Sequence, residues 1–442
     1  MTIRYLEDLL VSHISDSWFL LKSNEINGTF LYNNESCELG ILPAAPEYQL
    51  EEQIANIVKC KEVIAKPASS PKQYLERKET PRLMLFLTAS CNLACLYCHC
   101  RSATAKAHMS DERAIEVVNR YLEHVRKFTG RMDNIEITFM GGGEPFLRIA
   151  AIKKIVTHIE KLGVHGKYII VSNGTVGSDA DWEWIVSRGF RVTISADGPP
   201  NIQNKQRIFA KGLRETSSCI EKRFRHLSQL DVDVNIRSTV MNVSSQSIDC
   251  ICEYFEQFPC VKTHHLEPVS FAGRGDTCRD VSEGDFYGEF FRNYSKHLYN
   301  NPKRFKSAWF KPFKKAHGFC GAVYFNAVVT HDGFVSLCSE VDSSALFTQY
   351  GRNYIVAHIQ DDNPFLPRTS FEFSEKNSIS NIAECRTCAI RYKCGGGCYI
   401  KRDRDFKSNR ELHNAFCKNA LLLNLSFLIG SVMHGNRETI SP

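Results

Sequence analysis

Leu83-Met-Leu-Phe-Leu87 runs into Cys91-Asn-Leu-Ala-Cys95-Leu-Tyr-Cys98: a short apolar, strand-like run opening into a loop with three cysteines at CxxxCxxC spacing. Three thiolates on one short loop can hold three corners of a cubane iron–sulfur cluster and leave the fourth iron to a ligand that is not protein. An open iron implies chemistry, because structural zinc closes with four protein ligands and four-cysteine electron carriers leave no site open. Cys100 offers a fourth thiol, but a single residue parts it from Cys98, closer than ferredoxin or zinc-ribbon spacings.

Outward from this loop, residues 82–270 alternate apolar strands with amphipathic helices. Candidate strands are 82–88, 134–140, 167–172, 190–195, 233–240 and 262–269. The clearest helix runs from Ser110, a plausible N-cap, to Phe128, with Ile115, Val118, Leu122 and Val125 on one face. Six βα units in series predict an α/β fold, a partial (β/α)6 TIM barrel with parallel strands inside and helices outside. In such folds the loops at the carboxyl ends of strands carry the site, and the cysteine loop follows the first strand. Met140-Gly-Gly142-Gly143-Glu144-Pro145 follows the second; its glycines permit close backbone approach, and Glu144 can accept from an ammonium. Ser172-Asn173-Gly-Thr175 closes the third strand and Ser195-Ala-Asp197-Gly-Pro199 the fourth. Each of these turns alone would be ordinary punctuation between elements.

The CxxxCxxC loop, with aromatic Tyr97 before its last cysteine and a Gly-Gly-Glu-Pro turn in the next βα unit, resembles the radical S-adenosylmethionine (SAM) enzymes. The resemblance implies that Cys91, Cys95 and Cys98 hold a 4Fe–4S cluster whose open iron is chelated by SAM, which is cleaved to a 5′-deoxyadenosyl radical. It further implies that Tyr97, Gly142, Gly143 and Glu144 line the cofactor, with Glu144 on its amino group. Ser172, Asn173, Ser195 and Asp197 would reach the ribose, and Arg207 the carboxylate. Ser195 and Arg207 fall at the spacing of the anaerobic sulfatase maturases.

The C-terminal third reads Cys320-x12-Gly333-x4-Cys338, then Cys385-x2-Cys388-x5-Cys394-x3-Cys398, then Cys417. Spacing alone admits a pair of zinc sites. The order resembles the SPASM domain, which implies two auxiliary clusters: Cys385, Cys388, Cys394 and Cys417 on one, Cys320, Cys338 and Cys398 on the other, for three 4Fe–4S clusters in all. Two departures from the sulfatase maturases stand out. Their aspartate after the cysteine matching Cys338, proposed as a base, is here Ser339, with Glu340 next as the candidate catalytic residue. Their extra cysteine shortly after the one matching Cys320 is missing, since 321–337 contain none. That cluster would then keep an open iron or borrow a ligand from elsewhere, with Cys260, Cys278 and Cys100 as the candidates; Cys37, Cys60, Cys219, Cys250 and Cys252 read as small hydrophobes.

Eighteen cysteines in 442 residues, with no basic-then-apolar start, fit metal-bound thiolates in a reducing cytoplasm rather than a secreted disulfide scaffold. The apolar run 420–433 is too interrupted to span a bilayer and reads as a buried helix. A net charge of +6 is mild, no aromatic-interleaved basic stripe argues for nucleic acid, and no membrane is expected; the basic stretch 303–315 reads as a solvated face. The expected domains are a small α+β module over 1–80, the barrel over 81–275, a linker over 276–312 and the SPASM domain over 313–430. In the first, Trp18–Leu21 and Thr29–Tyr32 are strand-like about a turn at 24–28, a helix follows over 46–64, and 66–72 is linker by composition. By resemblance the module could recognise a leader peptide, and its loss would leave the clusters in place. The chain reads as a maturase that oxidatively cross-links a ribosomally made precursor peptide, drawing electrons from flavodoxin or ferredoxin. The alternatives are a formylglycine-forming sulfatase maturase, an oxidase of a small metabolite, and a non-enzymatic metal-binding scaffold.

Overall fold

The computed structural model describes residues 5–15, 17–26, 28–42, 54–55 and 81–433, the last span apart from 101, 103–106, 131–134, 213–214, 271, 279–282, 312–314, 317, 325–326, 343–347, 349–350, 366–367 and 408. The expected helix over 46–64, but for 54–55, and the linker over 66–72 lie outside these residues.

Strands β1 (Leu10–Ser15), β2 (Trp18–Ser23), β3 (Gly28–Asn33) and β4 (Glu38–Leu42) form an antiparallel meander in chain order. The two expected runs are its inner strands. Phe19, Leu21, Phe30 and Tyr32 on one face are buried in a core shared with the barrel's last helices and the C-terminal cysteine region. The other face buries Trp18, Leu31 and Leu42 with Ile54.

The barrel strands β5 (Arg82–Leu85), β6 (Ile135–Phe139), β7 (Gly166–Ser172), β8 (Arg191–Ser195), β9 (Val234–Val240) and β10 (Val261–Pro268) pair in chain order, each parallel to the next. All five residues of β6 are buried, as parallel strands covered on both faces require. Helix α1 (Asp111–Thr129) starts where the Ser110 hydroxyl accepts from Arg113 N and stops at Gly130, whose φ of 68° suits only a residue without Cβ strain. Its inward stripe is Ala114, Val117, Val118, Tyr121, Leu122 and Val125; Ile115 sits at the margin and is only partly buried. The outer layer continues with α2 (Ile149–Lys161), α3 (Asp179–Ser187), α4 (Thr216–Gln229) and α5 (Ser245–Tyr254).

Along β9, Val234, Ile236, Ser238 and Val240 are buried, which leaves Asn235, Arg237 and Thr239 on the lumen face. On β10 the lumen residues are Thr263, His265 and Glu267. Register puts Ser195, Arg237 and His265 in one row across three strands.

After α6 (Glu283–Asn300), β11 (Phe305–Lys306) adds to β10. At the opposite edge β12 (Ala327–Val329) pairs in parallel with β5, and β13 (Phe334–Ser336) and β14 (Ile355–His358) extend the sheet antiparallel to ten strands. The cysteine-rich region is thus welded to the barrel sheet, and Cys338 emerges just past β13, with β12 between it and the strand that feeds the CxxxCxxC loop. Helix α7 (Arg410–Met433) is long and apolar enough to cross a membrane, but 61% of its most apolar window is buried inside the protein.

Candidate functional site

The cysteine loop is held from outside its own sequence. Leu96 N donates to Gln206 O (2.9 Å) and Ala94 N to Ile208 O (2.8 Å), so the segment after β8 clamps it on one side. On the other, Arg274 Nε donates to Cys95 O (2.8 Å) and Arg274 N to Cys98 O (3.0 Å). Gly273, at φ 62°, lies so close that a Cβ would meet His99 O at 2.4 Å. Leu93 N (3.4 Å) and the Asn173 amide (3.8 Å) donate to Cys91 Sγ, and Arg207 Nη1 lies 3.9 Å from Cys95 Sγ. Burial, and then the Glu144 carboxylate, pushes the Cys91 thiol up to about 12; burial raises Cys95 to about 11 against the pull of Arg207. Such thiols keep their protons until a metal displaces them. Three sulfurs on one loop, with N–H and guanidinium donors aimed at them, fit a cluster with three protein ligands.

The glycines of the second turn serve this loop. Gly143 N donates to Thr88 O and Glu144 N to Ser90 O, both at 2.8 Å, and a Cβ on Gly143 would stand 1.8 Å from Ser90 O. The Ser102 hydroxyl donates to Gly142 O. The close approach expected at Gly142 and Gly143 is therefore to the Thr88–Ser90 backbone. Glu144 is buried, with Oε1 accepting from Phe146 N (3.0 Å) and Ser172 Oγ (2.8 Å) and Oε2 from Asn173 N (2.8 Å). Burial raises its carboxyl above the usual range despite these bonds. Three of about four acceptor positions are filled, and one is left for an ammonium. Ser172 and Asn173 thus act on Glu144, and Asn173 also bonds Asn92 (2.8 Å), whose amide reaches Thr175 Oγ1 (2.7 Å).

Asp197, expected at a ribose, is fully buried and spent on protein. Oδ2 accepts from the Tyr97 hydroxyl (2.5 Å) and Gln206 Nε2 (3.0 Å); Oδ1 accepts from Thr239 N (3.1 Å) and lies 3.1 Å from Arg207 Nε. Four partners exhaust a carboxylate, so Asp197 positions Tyr97 and Arg207 instead of touching a sugar. Tyr97 turns its hydroxyl inward, and the Arg207 guanidinium lies 5.4 Å over its ring. Arg207 keeps part of its five-donor fork for a cofactor carboxylate. Ser195 ends β8, half-buried, on the lumen row.

In the C-terminal region, Cys385, Cys388, Cys394 and Cys417 fall within electrostatic reach of one another. Burial first, and then these neighbours, push Cys385 and Cys417 up to about 12 and Cys388 to about 11. Cys320, Cys338 and Cys398 form a second such set. Among the described residues no three His, Cys, Asp or Glu side chains close around a single-ion point. Glu340 N lies 3.4 Å from Cys338 Sγ, and its carboxylate senses all three thiols of the second set. Burial would raise that carboxyl, but His99, Arg404, Lys401 and Arg237 outweigh it and hold it below the usual range. Of the candidates for a further thiol, Cys260 is buried in the outer layer against Phe224 O (3.5 Å), away from both sets. Cys100 stands beside Asp342 and Cys98, and the side chain of Cys278 lies outside the described residues. Cys37 and Cys252 are buried as small hydrophobes, whereas Cys250 is exposed.

Asn92, Gln206, Arg237 and Arg274 are the functional positions that sequence reading missed. Asn92 lies inside the CxxxCxxC loop but at one of its variable positions, and Gln206, Arg237 and Arg274 sit in no motif; strand register and loop packing bring them to the site.

Residues 85–251 match the family model described as the radical SAM superfamily. The serine-type anaerobic sulfatase-maturating enzyme of Klebsiella aerogenes is 25% identical over 336 residues, 72% of this chain and 78% of that protein. The cysteine-type enzyme of Clostridium novyi (strain NT) is 22% identical over 359 residues, 75% and 90% of the two chains. Among solved structures, native anSMEcpe with bound AdoMet and Cp18Cys peptide has a TM-score of 0.61 at 21% identity, covering 82% of this chain and 99% of that one. Streptococcus suis SuiB bound to precursor peptide SuiA has a TM-score of 0.53 at 11% identity, covering 92% and 97%. Residues 85–251 thus form a radical SAM domain that contains the CxxxCxxC loop and Glu144, and over about three-quarters of its length the chain is similar to the anaerobic sulfatase-maturating enzymes.

Proposed function

We propose that the enzyme matures a peptide by oxidative cross-linking of its side chains. The observation that carries this is the approach of the segment after Cys338 to the cysteine loop, Glu340 to His99 and Asp342 to Cys100, so that an auxiliary centre at Cys338 would face the SAM pocket. Relatives recorded with bound peptides, anSMEcpe with Cp18Cys and SuiB with SuiA, support a peptide in that lumen. Bound SAM and its cluster would supply a 5′-deoxyadenosyl radical, the electron coming from a flavodoxin or ferredoxin. The chain's own part is to hold the SAM ammonium at Glu144, fix the loop through Asp197 and Arg274, and position one C–H bond. Closing a cross-link removes two hydrogens from the substrate, one as an atom, which that radical would take, and one as a proton and an electron. Cys320, Cys338 and Cys398 would hold one auxiliary cluster and Cys385, Cys388, Cys394 and Cys417 another, three clusters in all with that of the cysteine loop, and these would supply the acceptor for that electron. The proton passes to Glu340, ionised among its cations. A reducing, cytoplasmic setting suits these thiols.

The test is mass spectrometry of a full precursor peptide after anaerobic turnover. The expected product is lighter by two hydrogens, with no oxygen gained or sulfur lost. A second reading, formylglycine formation, is favoured by the ionised Glu340, which could replace the base missing at Ser339. Conversion of a sulfatase-derived peptide to formylglycine would establish that reading in place of the first.

A further inference from the structure

We propose that Arg237 recognises a carboxylate on the peptide that enters the lumen, either an acidic side chain or a free C-terminus. The assignment rests on the peptide reading above and narrows its substrate class.

Arg237 shares a row with Ser195 on β8 and His265 on β10. Strand alternation sends Ile236 and Ser238 outward into the core and leaves the Arg237 side chain exposed on the lumen face. The polar groups around it are already engaged. His265 Nε2 bonds Glu267 Oε1 at 2.6 Å, and Glu267 also accepts from Ala308 N (2.6 Å) and Ser307 Oγ (3.2 Å). Arg404 bonds Asp405 (2.7 Å) and Ser270 (2.5 Å). The Glu340 carboxylate, the acidic group that Arg237 helps to hold ionised, is paired with Arg404 (3.8 Å), and among the described residues the Arg237 side chain has no hydrogen bond or close ion pair of its own; only its backbone carbonyl is used, by Ala196 N (3.1 Å). It lies on the far side of Ser195 from Glu144 and Cys91, one strand beyond the cofactor end of the lumen.

A peptide filling the lumen would strip water from this guanidinium, and a buried unpaired charge is costly. A carboxylate meets its planar fork with two parallel hydrogen bonds, whereas a neutral residue leaves it unpaired. The residue therefore both attracts acidic peptides and penalises neutral ones.

The experiment uses the full chain, reconstituted anaerobically, immobilised and loaded with SAM. It is offered two pools of acetylated hexapeptides: one amidated with Glu or Gln at a single varied position, the other neutral with free or amidated C-termini. Wild type should retain the Glu peptides over their Gln counterparts, or the free acids over the amides, roughly tenfold; the pool that shows the bias identifies the source of the carboxylate. Arg237→Gln should erase the bias and Arg237→Lys restore part of it, while SAM affinity measured by equilibrium dialysis matches wild type. Unbiased retention by wild type, or an equal bias in Arg237→Gln, overturns the assignment and leaves the peptide reading standing. A fall in SAM affinity in Arg237→Gln makes the residue a cofactor contact and also overturns it. Retention of no peptide by either protein overturns both.

Discussion

Glu144 and Gly143 show how two adjacent residues do different work at one turn. Three protein donors hold the Glu144 carboxylate with one position open, so Glu144→Ala should weaken SAM binding by roughly 10- to 150-fold, the loss of one charge-assisted hydrogen bond. Iron content should change little, since no cysteine is lost; equilibrium dialysis and iron assay check the pair of outcomes. Gly143→Ala should do the reverse. Its Cβ would collide with the Ser90 carbonyl, a backbone atom 1.8 Å away, so the loop must shift at a cost of about 1–3 kcal/mol or more. Reconstituted iron and the urea midpoint should both fall. Asp197→Asn keeps the shape but leaves Arg207 buried without its counter-charge, at roughly 3–5 kcal/mol, and thermal unfolding would register it. Glu144 was legible in sequence because its motif is local. The role of Asp197 was not, because its partners Tyr97, Gln206 and Thr239 come from three separate segments.

Among elements, the N-terminal meander departs furthest from expectation. Its inner strands were legible from the apolar runs Trp18–Leu21 and Thr29–Tyr32. The outer strands were not, because β1 and β4 are largely exposed edges with no clean alternation. Nor could sequence say where the sheet sits. The Asn34 amide donates to Cys388 O (3.2 Å), Glu35 pairs with Arg391 (3.2 Å), and Phe19, Leu21, Phe30 and Tyr32 share a core with Ile390 and Phe416. The module therefore walls the Cys385–Cys417 set instead of hanging free. Deleting residues 1–75 should cost that site its iron and hasten bleaching in air, contrary to the expectation that the clusters would survive. Asn34→Ala, losing about 1 kcal/mol, should show a weaker form of the same bleaching.

For the molecule as a whole, the decisive feature is the sheet that continues from β10 through β5 into β14. Five of the six barrel strands could be read from their periodicity to within a residue, whereas β5 stops at Leu85, three residues short of the expected 88, where the chain turns into the cysteine loop. β12, with only Ala327–Val329, is too short to carry a period, so the weld between barrel and cysteine-rich region stayed hidden. Truncation after residue 312 should expose the β5 edge and give an aggregating barrel, visible by size-exclusion chromatography. Replacing Cys91, Cys95 and Cys98 together by Ala should abolish SAM cleavage while the separate C-terminal sets keep their iron, measured by 5′-deoxyadenosine release and iron assay. The meander carries one more implication. Leu6 N bonds Ser426 Oγ (2.9 Å), Tyr5 bonds Asn419 (2.8 Å), and Asn34 reaches Cys388, contacts between residues up to 420 positions apart. On a ribosome adding about 5–20 residues per second, the first strands emerge tens of seconds before the helix they rest on exists. Their apolar face must wait, open to chaperones, until that helix has been made, so the Cys385–Cys417 set can be walled only then.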